Sequence, residues 1–242
     1  MTGLALQGDL WMGDARLIRG LALDMPAGRW SCLLGPSGIG KSTIARLIAG
    51  LPGPQRLDGA LRIDDRQPLT GRVAMMAQGG QLLPWADLVA NVTIGARLRG
   101  ARPDAARARA LLNQVGLAGL ERRRPAALSG GQGQRVALAR VLIEDAPVVV
   151  LDEPFSALDT ATRLAMQDLA AQVLAGRTVV LITHDPLEAL RLADHAWLLG
   201  QSGAEAVTLP ETPAPRDFRA PDLLSAQAAL LARLQGDMPC SA

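Results

Sequence analysis

The chain has 242 residues, 49% of them hydrophobic and 20% charged, with a formal net charge of +2. That is enough apolar material for the core of one large domain or two small ones, and it excludes a disordered chain. The balanced charge excludes a strongly basic surface, so nucleic acid is not expected as a partner.

The N-terminal stretch MTGLALQGDLW has no basic leader and meets Asp9 before any long apolar run, so a signal peptide is not expected. No stretch approaches the ~18 uninterrupted apolar residues that span a bilayer. Any membrane role is therefore expected to run through a partner chain. Two cysteines, Cys32 and Cys240, are too few for a disulfide framework, which fits a reducing cytosol.

The apolar run SCLLG (31–35) reads as a buried strand and is followed by GPSGIGKST, with a helix expected from about Ser42. Gly35, Gly40, Lys41 and Ser42 fit the phosphate-loop pattern G-x-x-x-x-G-K-[ST], and the strand-before, helix-after context supports it. Glycines let backbone N–H groups turn inward around phosphates, a lysine adds a point charge, and the helix start adds its dipole. Lys41 is the only lysine in a chain whose other 24 basic residues are arginines. The Ser42 hydroxyl is a candidate ligand for Mg²⁺.

Residues 84–126 carry little strand signal and much Ala, Leu and Arg, which predicts an inserted helical subdomain. ALSGGQGQRVALARVL (127–142) predicts a helix capped by Ser129, whose free N–H groups attract an anion. The run VVVLDEPFSALD (148–159) predicts a strand ending on Asp152 and Glu153, with a helix over 160–175. In a parallel sheet such strand ends gather ligands. Asp152 could hold Mg²⁺ and Glu153 could polarise an attacking water. TVVLITH (178–184) predicts another strand, ending at His184, before a helix over 186–192; a neutral imidazole there could contact a γ-phosphate or the water. His195 reads as structural. Alternating strands and helices predict an α/β fold with a mainly parallel sheet. From residue 201 the composition turns to Pro, Ser and Thr before one helical period, so a short extension with a helix at most is expected, ending in a polar tail.

Taken together these motifs resemble the ATP-binding cassette family: the Walker A loop at 35–43, Gln78 in the Q-loop stretch VAMMAQ, the signature LSGGQ, the Walker B run VVVLDE, the D-loop SALD and the switch histidine His184. The likeness covers about residues 4–200. It implies a P-loop NTPase cassette with an antiparallel β edge and an inserted helical subdomain. It further implies that Gly35, Pro36, Ser37, Gly38, Ile39, Gly40, Lys41, Ser42 and Thr43 hold the ATP phosphates, and that Ser42, Gln78 and Asp152 surround Mg²⁺. Glu153 would be the catalytic base, with His184 and Gln78 beside it. In the family the signature acts on the opposite subunit, so Ser129, Gly130, Gly131, Gln132 and Asp159 would work across a dimer of two copies. Adenine usually stacks on an N-terminal tyrosine; this chain has none, and counting back from LALDMPAG brings Trp11 or Met12 to that place, with Trp11 preferred for its indole face. Gly133, after the signature, is expected to have little effect on the helix start.

The stretch QGGQLLPWADLVANV (78–92) resembles importers of nitrate, sulfonates, taurine and thiamine precursors, most of all hydroxymethylpyrimidine cassettes. The resemblance implies a transmembrane permease docking on Leu82, Leu83 and Trp85, a periplasmic solute-binding protein acting indirectly, and a place on the cytoplasmic face of the inner membrane. An exporter subunit and a non-transport cassette are the alternatives.

Overall fold

The structure, a computed structural model, describes residues 2–236; Cys240 and the polar tail fall outside the described residues. In chain order it opens with β1 (Leu4–Met12), β2 (Ala15–Met25), β3 (Trp30–Leu34), α1 (Lys41–Ile48), β4 (Gln55–Ile63) and β5 (Val73–Met76). A helical stretch follows: α2 (Leu88–Val92), α3 (Ile94–Leu98), α4 (Ala105–Gln114), a 3₁₀ turn at Pro125–Ala127 and α5 (Gly130–Ile143). The chain then returns through β6 (Val148–Asp152), α6 (Thr160–Val173), β7 (Thr178–Ile182), α7 (Pro186–Leu192), β8 (His195–Gly200), β9 (Gly203–Ala206) and α8 (Pro221–Gly236).

The central sheet has the order β5-β6-β7-β3-β8-β9, parallel from β5 to β8 and antiparallel at β9. Strands β3, β6 and β7 are buried along their whole length, as expected where helices or a second sheet cover both faces. Alternate residues divide between two cores. Cys32, Leu34, Val149, Leu151, Val179 and Leu181 face α5–α7, while Leu33, Val148, Val150, Val180 and Ile182 face Ile44, Ala45 and Ile48 of α1 and the antiparallel sheet β2-β1-β4. The expected α/β architecture with an antiparallel edge is therefore present.

Helix starts follow local chemistry. Asp87, Asp104, Ser129, Asp159 and Asp185 each accept a bond from a backbone N–H of the first turn of α2, α4, α5, α6 and α7, satisfying donors that have no partner inside the helix. Gly133 sits within α5 without breaking it. Boundaries differ from the sequence reading by small amounts: α6 stops at Val173, and Gly176 takes a left-handed φ of 77° just beyond. One expectation is corrected. The segment after residue 200 holds a strand as well as a helix, because β9 pairs with β8 through the register Trp197↔Ala206 to Gly200↔Gly203. Its sequence, GAEA, has no β-branched residue to announce a strand; the backbone pairing supplies what the side chains do not. Leu223 and Leu230 of α8 are buried in the larger of the two cores.

Parallel registers bring the functional segments to one edge. Leu33 pairs with Ile182, Asp152 with Ile182, and Met76 with Leu151. The chain leaving each of these strands carries the phosphate loop, His184, Glu153 and Gln78 respectively, at the carboxyl ends where ligands of such sheets bind.

Candidate functional site: a phosphate-loop cavity

The loop at 35–43 bends because its glycines permit it. Gly40, the residue before α1, has φ 112°, and a Cβ there would meet Leu10 Cδ2 at 2.9 Å and Leu17 Cδ1 at 3.2 Å. Any other residue would be strained twice, by its backbone angle and by its contact. Lys41 is buried, and its Nζ donates to Gly35 O at 2.7 Å and Pro36 O at 2.9 Å, so the ammonium lies inside the loop's curl. Burial pulls its pKa below the ordinary value, opposed by the nearby carboxylates of Glu153 and Asp152. The first turn of α1 contains no acidic side chain, leaving its N–H groups and dipole facing the loop.

Ser42 Oγ donates to Asp152 Oδ1 at 3.2 Å. Burial pushes the Asp152 carboxyl up, against the Ser42 bond that holds it down. Such a carboxylate gains from a cation beside it. Among the described residues no cluster of three or more His, Cys, Asp or Glu could hold a metal unaided. One hydroxyl, one carboxylate and the Gln78 amide fit a small hard cation that takes its remaining oxygens from phosphate and water, as Mg²⁺ does.

Glu153 follows β6 with a left-handed φ of 47°, uncommon for a non-glycine residue. Its N–H donates to Ile182 O at 2.9 Å, which holds that conformation in place. Its two carboxylate oxygens are then shared out: Gln78 Nε2 donates to Oε2 at 3.1 Å, and His184 Nδ1 lies 3.2 Å from Oε1. A cavity of about 400 Å³ is lined by Ser37, Gly38, Lys41, Ser42, Gln78, Glu153 and His184, together with Gly40 and Thr43. Thus a loop shaped for phosphate, the Ser42 hydroxyl and a clasped acid converge on one space, while Asp152, outside the lining, is bonded to Ser42.

Five groups of expected residues do not line it, Asp152 being the first. Gly35, Pro36 and Ile39 belong to the loop but not to the lining, and the carbonyls of the first two accept from Lys41 Nζ. Ser129, Gly130, Gly131 and Gln132 start α5 elsewhere, in a capping box where Ser129 Oγ accepts from Gln132 N and Gln132 Oε1 accepts from Ser129 N. Ser129 and Gly130 are exposed, whereas Gly131 is buried, and a Cβ on it would meet Thr162 Cγ2 at 2.6 Å. Asp159 is exposed and caps α6.

Trp11 does not line the cavity either. Strand alternation puts Leu10 against Gly40 and turns Trp11 to the other face of the antiparallel sheet. There its indole lies under the guanidiniums of Arg56, 4.9 Å from the ring centroid, and Arg16, at 5.7 Å, the two residues directly across from it on β4 and β2. Met12, two residues after Leu10, shares the loop-facing side.

The docking segment is also refined. Trp85 is 70% exposed, but Leu82 and Leu83 are half-buried. The turn that displays Trp85 is built around Asn91, fully buried, whose carboxamide accepts from Leu83 N at 2.7 Å and donates to the carbonyls of Leu83, Ala86 and Asp87 at 3.1–3.2 Å. Arg140 on α5 donates to Asn91 Oδ1 and to Gln81 O, both at 3.2 Å. Asn91 and Arg140 escaped the sequence reading; a polar residue inside an apolar stretch is their only local signal.

Glu188 is a further buried acid, with its side chain 4% exposed. Burial pushes its pKa up to about 7, against the bond from Thr183 and the charge of Arg163. Because the folded value lies above that of an unfolded glutamate, the folded state binds more protons across that interval. Stability is lost as pH rises from about 4.5 to 7 and stays lowered above. Glu188→Gln removes this titration, so its stability relative to the parent is expected to improve between pH 5 and pH 8 by on the order of 3 kcal/mol. Denaturant melts at the two pH values check it; a difference that does not vary with pH would refute it.

The family model for ABC transporters matches residues 18–156, more than half of the chain. An aliphatic sulfonates import ATP-binding protein, SsuB, of Rhodopseudomonas palustris is 43% identical over 225 residues, covering 92% of this chain and 79% of that one. A second protein of that name from Nocardia farcinica is 44% identical, covering 93% and 91%. An uncharacterized ABC transporter ATP-binding protein of Haemophilus influenzae is 40% identical, covering 91% and 93%. With the Lys41 loop, Asp152 and the clasped Glu153 at one sheet edge, and these matches along its length, the chain belongs to the ABC transporter family as an ATP-binding, ATP-hydrolysing subunit.

Proposed function

We propose that this chain drives import through a separate membrane permease, and that the cargo is an aliphatic sulfonate. The observation that carries the hydrolytic part is Glu153 held between Gln78 and His184 at the mouth of the phosphate loop. ATP enters with its β- and γ-phosphates against Lys41 and the loop amides, and with adenine towards Met12. Ser42, Gln78 and Asp152 would hold Mg²⁺, which would supply charge neutralisation at the phosphate oxygens. Glu153 takes a proton from the attacking water, while His184 holds the carboxylate and the γ-phosphate in register. The exposed Ser129 and Gly130, outside their own chain's cavity, fit a second copy whose phosphate they would meet, with Asp159 at the same junction. Two ATP molecules then close the dimer, and hydrolysis opens it.

No described helix is long and apolar enough to cross a membrane; the permease is a separate chain on this reading, and the exposed Trp85, in the segment that follows Gln78, is its natural contact. On this reading the chain works at the cytoplasmic face of the inner membrane, against that permease. The import direction and the sulfonate rest on the names of the similar proteins, which favour a sulfonate over hydroxymethylpyrimidine. The test is a thermal-shift titration of the solute-binding protein encoded beside this gene against an alkanesulfonate, taurine, nitrate and hydroxymethylpyrimidine. A saturable shift with the alkanesulfonate supports the reading, and a response to the pyrimidine alone replaces the cargo. If no such binding protein is encoded there, weight moves to an exporter.

A further inference from the structure

We propose that Arg163 is a positioning residue that ties the loop at 156–159 to the loop carrying His184, so that engagement of the first sets the geometry of the second. Its two terminal nitrogens go to different loops. One donates to Leu158 O at 3.1 Å, immediately before Asp159; the other pairs with Asp185 Oδ2 at 3.1 Å, immediately after His184. Its Nε points towards Glu188, 3.9 Å from Oε1.

Glu188 in turn fixes the residue on the other side of His184. Thr183 Oγ1 donates to Glu188 Oε2 at 2.6 Å and accepts from Asp185 N at 3.0 Å, while Asp185 Oδ1 caps Leu187 N at 2.9 Å. Thr183 and Asp185 are thus both held by one cluster centred on Arg163 and Glu188. His184 itself is 58% exposed, and among the described residues its side chain bonds only to Glu153. An imidazole with a single partner takes its place from the backbone on either side. The cluster supplies that place.

Well-packed apolar groups could hold two loops together as stably as this partly buried ion cluster. The fork adds geometry: two N–H donors at a fixed angle, so Leu158 O cannot move without moving Asp185. Any contact made by Asp159 or its neighbours with a second copy then acts on His184 through one guanidinium, without Arg163 touching nucleotide.

This inference rests on reading Glu153 and His184 as the hydrolytic pair. It is tested on the full chain with Arg163→Lys, which keeps the charge and loses the fork, alongside Arg163→Gln and Glu153→Gln. For Arg163→Lys the expected result is a fall in kcat of about tenfold or more. Its Kd for a fluorescent ATP analogue should stay within about threefold of the parent, and its Tm within about 5 °C. Arg163→Gln, with a planar amide but only one donor nitrogen, should show the same split. An Arg163→Lys protein with kcat within about twofold of the parent overturns the link, as does one whose kcat and Tm fall while its Kd rises well beyond threefold, which is a general structural role. Loss of turnover in Glu153→Gln with unchanged Arg163→Lys overturns the link alone. Full turnover in Glu153→Gln overturns the underlying reading and the link with it.

Discussion

Glu153→Gln is expected to lower steady-state ATP hydrolysis by about 10²–10⁴-fold, the range that a positioned general base contributes, while ATP still binds. Glutamine is close to isosteric, so one side-chain oxygen remains to accept from Gln78 or His184, which now clasp the carboxylate at 3.1 and 3.2 Å. Lys41, Ser42 and the loop amides are untouched. What disappears is the capacity to take a proton from water. Binding without hydrolysis should arrest the closed dimer, seen in size-exclusion chromatography as an ATP-dependent shift to twice the monomer mass. Undiminished phosphate release would remove Glu153 from its role, and a monomer that binds ATP tightly would contradict the two-copy mechanism.

Lys41→Ala acts at the earlier step. The ammonium lies 2.7 Å from Gly35 O and 2.9 Å from Pro36 O, inside the curl where phosphates are proposed to sit. A charge-assisted bond of this kind is worth about 1.5–3 kcal/mol, so ATP affinity is expected to fall by roughly ten- to more than a hundredfold. Titration with a fluorescent nucleotide reads it directly. The two replacements separate cleanly: Glu153→Gln spares binding and abolishes turnover, and Lys41→Ala loses binding first. Normal affinity in Lys41→Ala would contradict the phosphate-loop reading.

The nucleotide motifs were legible in the sequence because each is a local device. A glycine-spaced loop between a strand and a helix and a serine capping box owe their geometry to near neighbours, and two acids closing an apolar run stand out by composition alone. The parallel sheet was legible for a similar reason, since strands buried on both faces read as unbroken apolar runs such as VVVLD and TVVLI. Strand β9 was hidden because edge pairing needs only backbone. The packing of Trp11 against Arg16 and Arg56 was not legible, because counting residues back from a motif brings a position to a neighbourhood, whereas the face on which a strand presents it follows from alternation and register.

By itself, then, the sequence determined which chemistry this chain carries: a phosphate loop at Lys41, a carboxylate pair at Asp152 and Glu153, and a histidine one strand further on. Only the tertiary structure decided how those groups meet. Parallel pairing of β3, β6 and β7 placed their ends side by side, and the backbone bond from Glu153 N to Ile182 O turned that acid between Gln78 and His184. Arg163 was joined to both Leu158 and Asp185, contacts that link residues 5 and 22 positions apart. Such bonds depend on where folded elements end in space, and no local run of residues encodes that position.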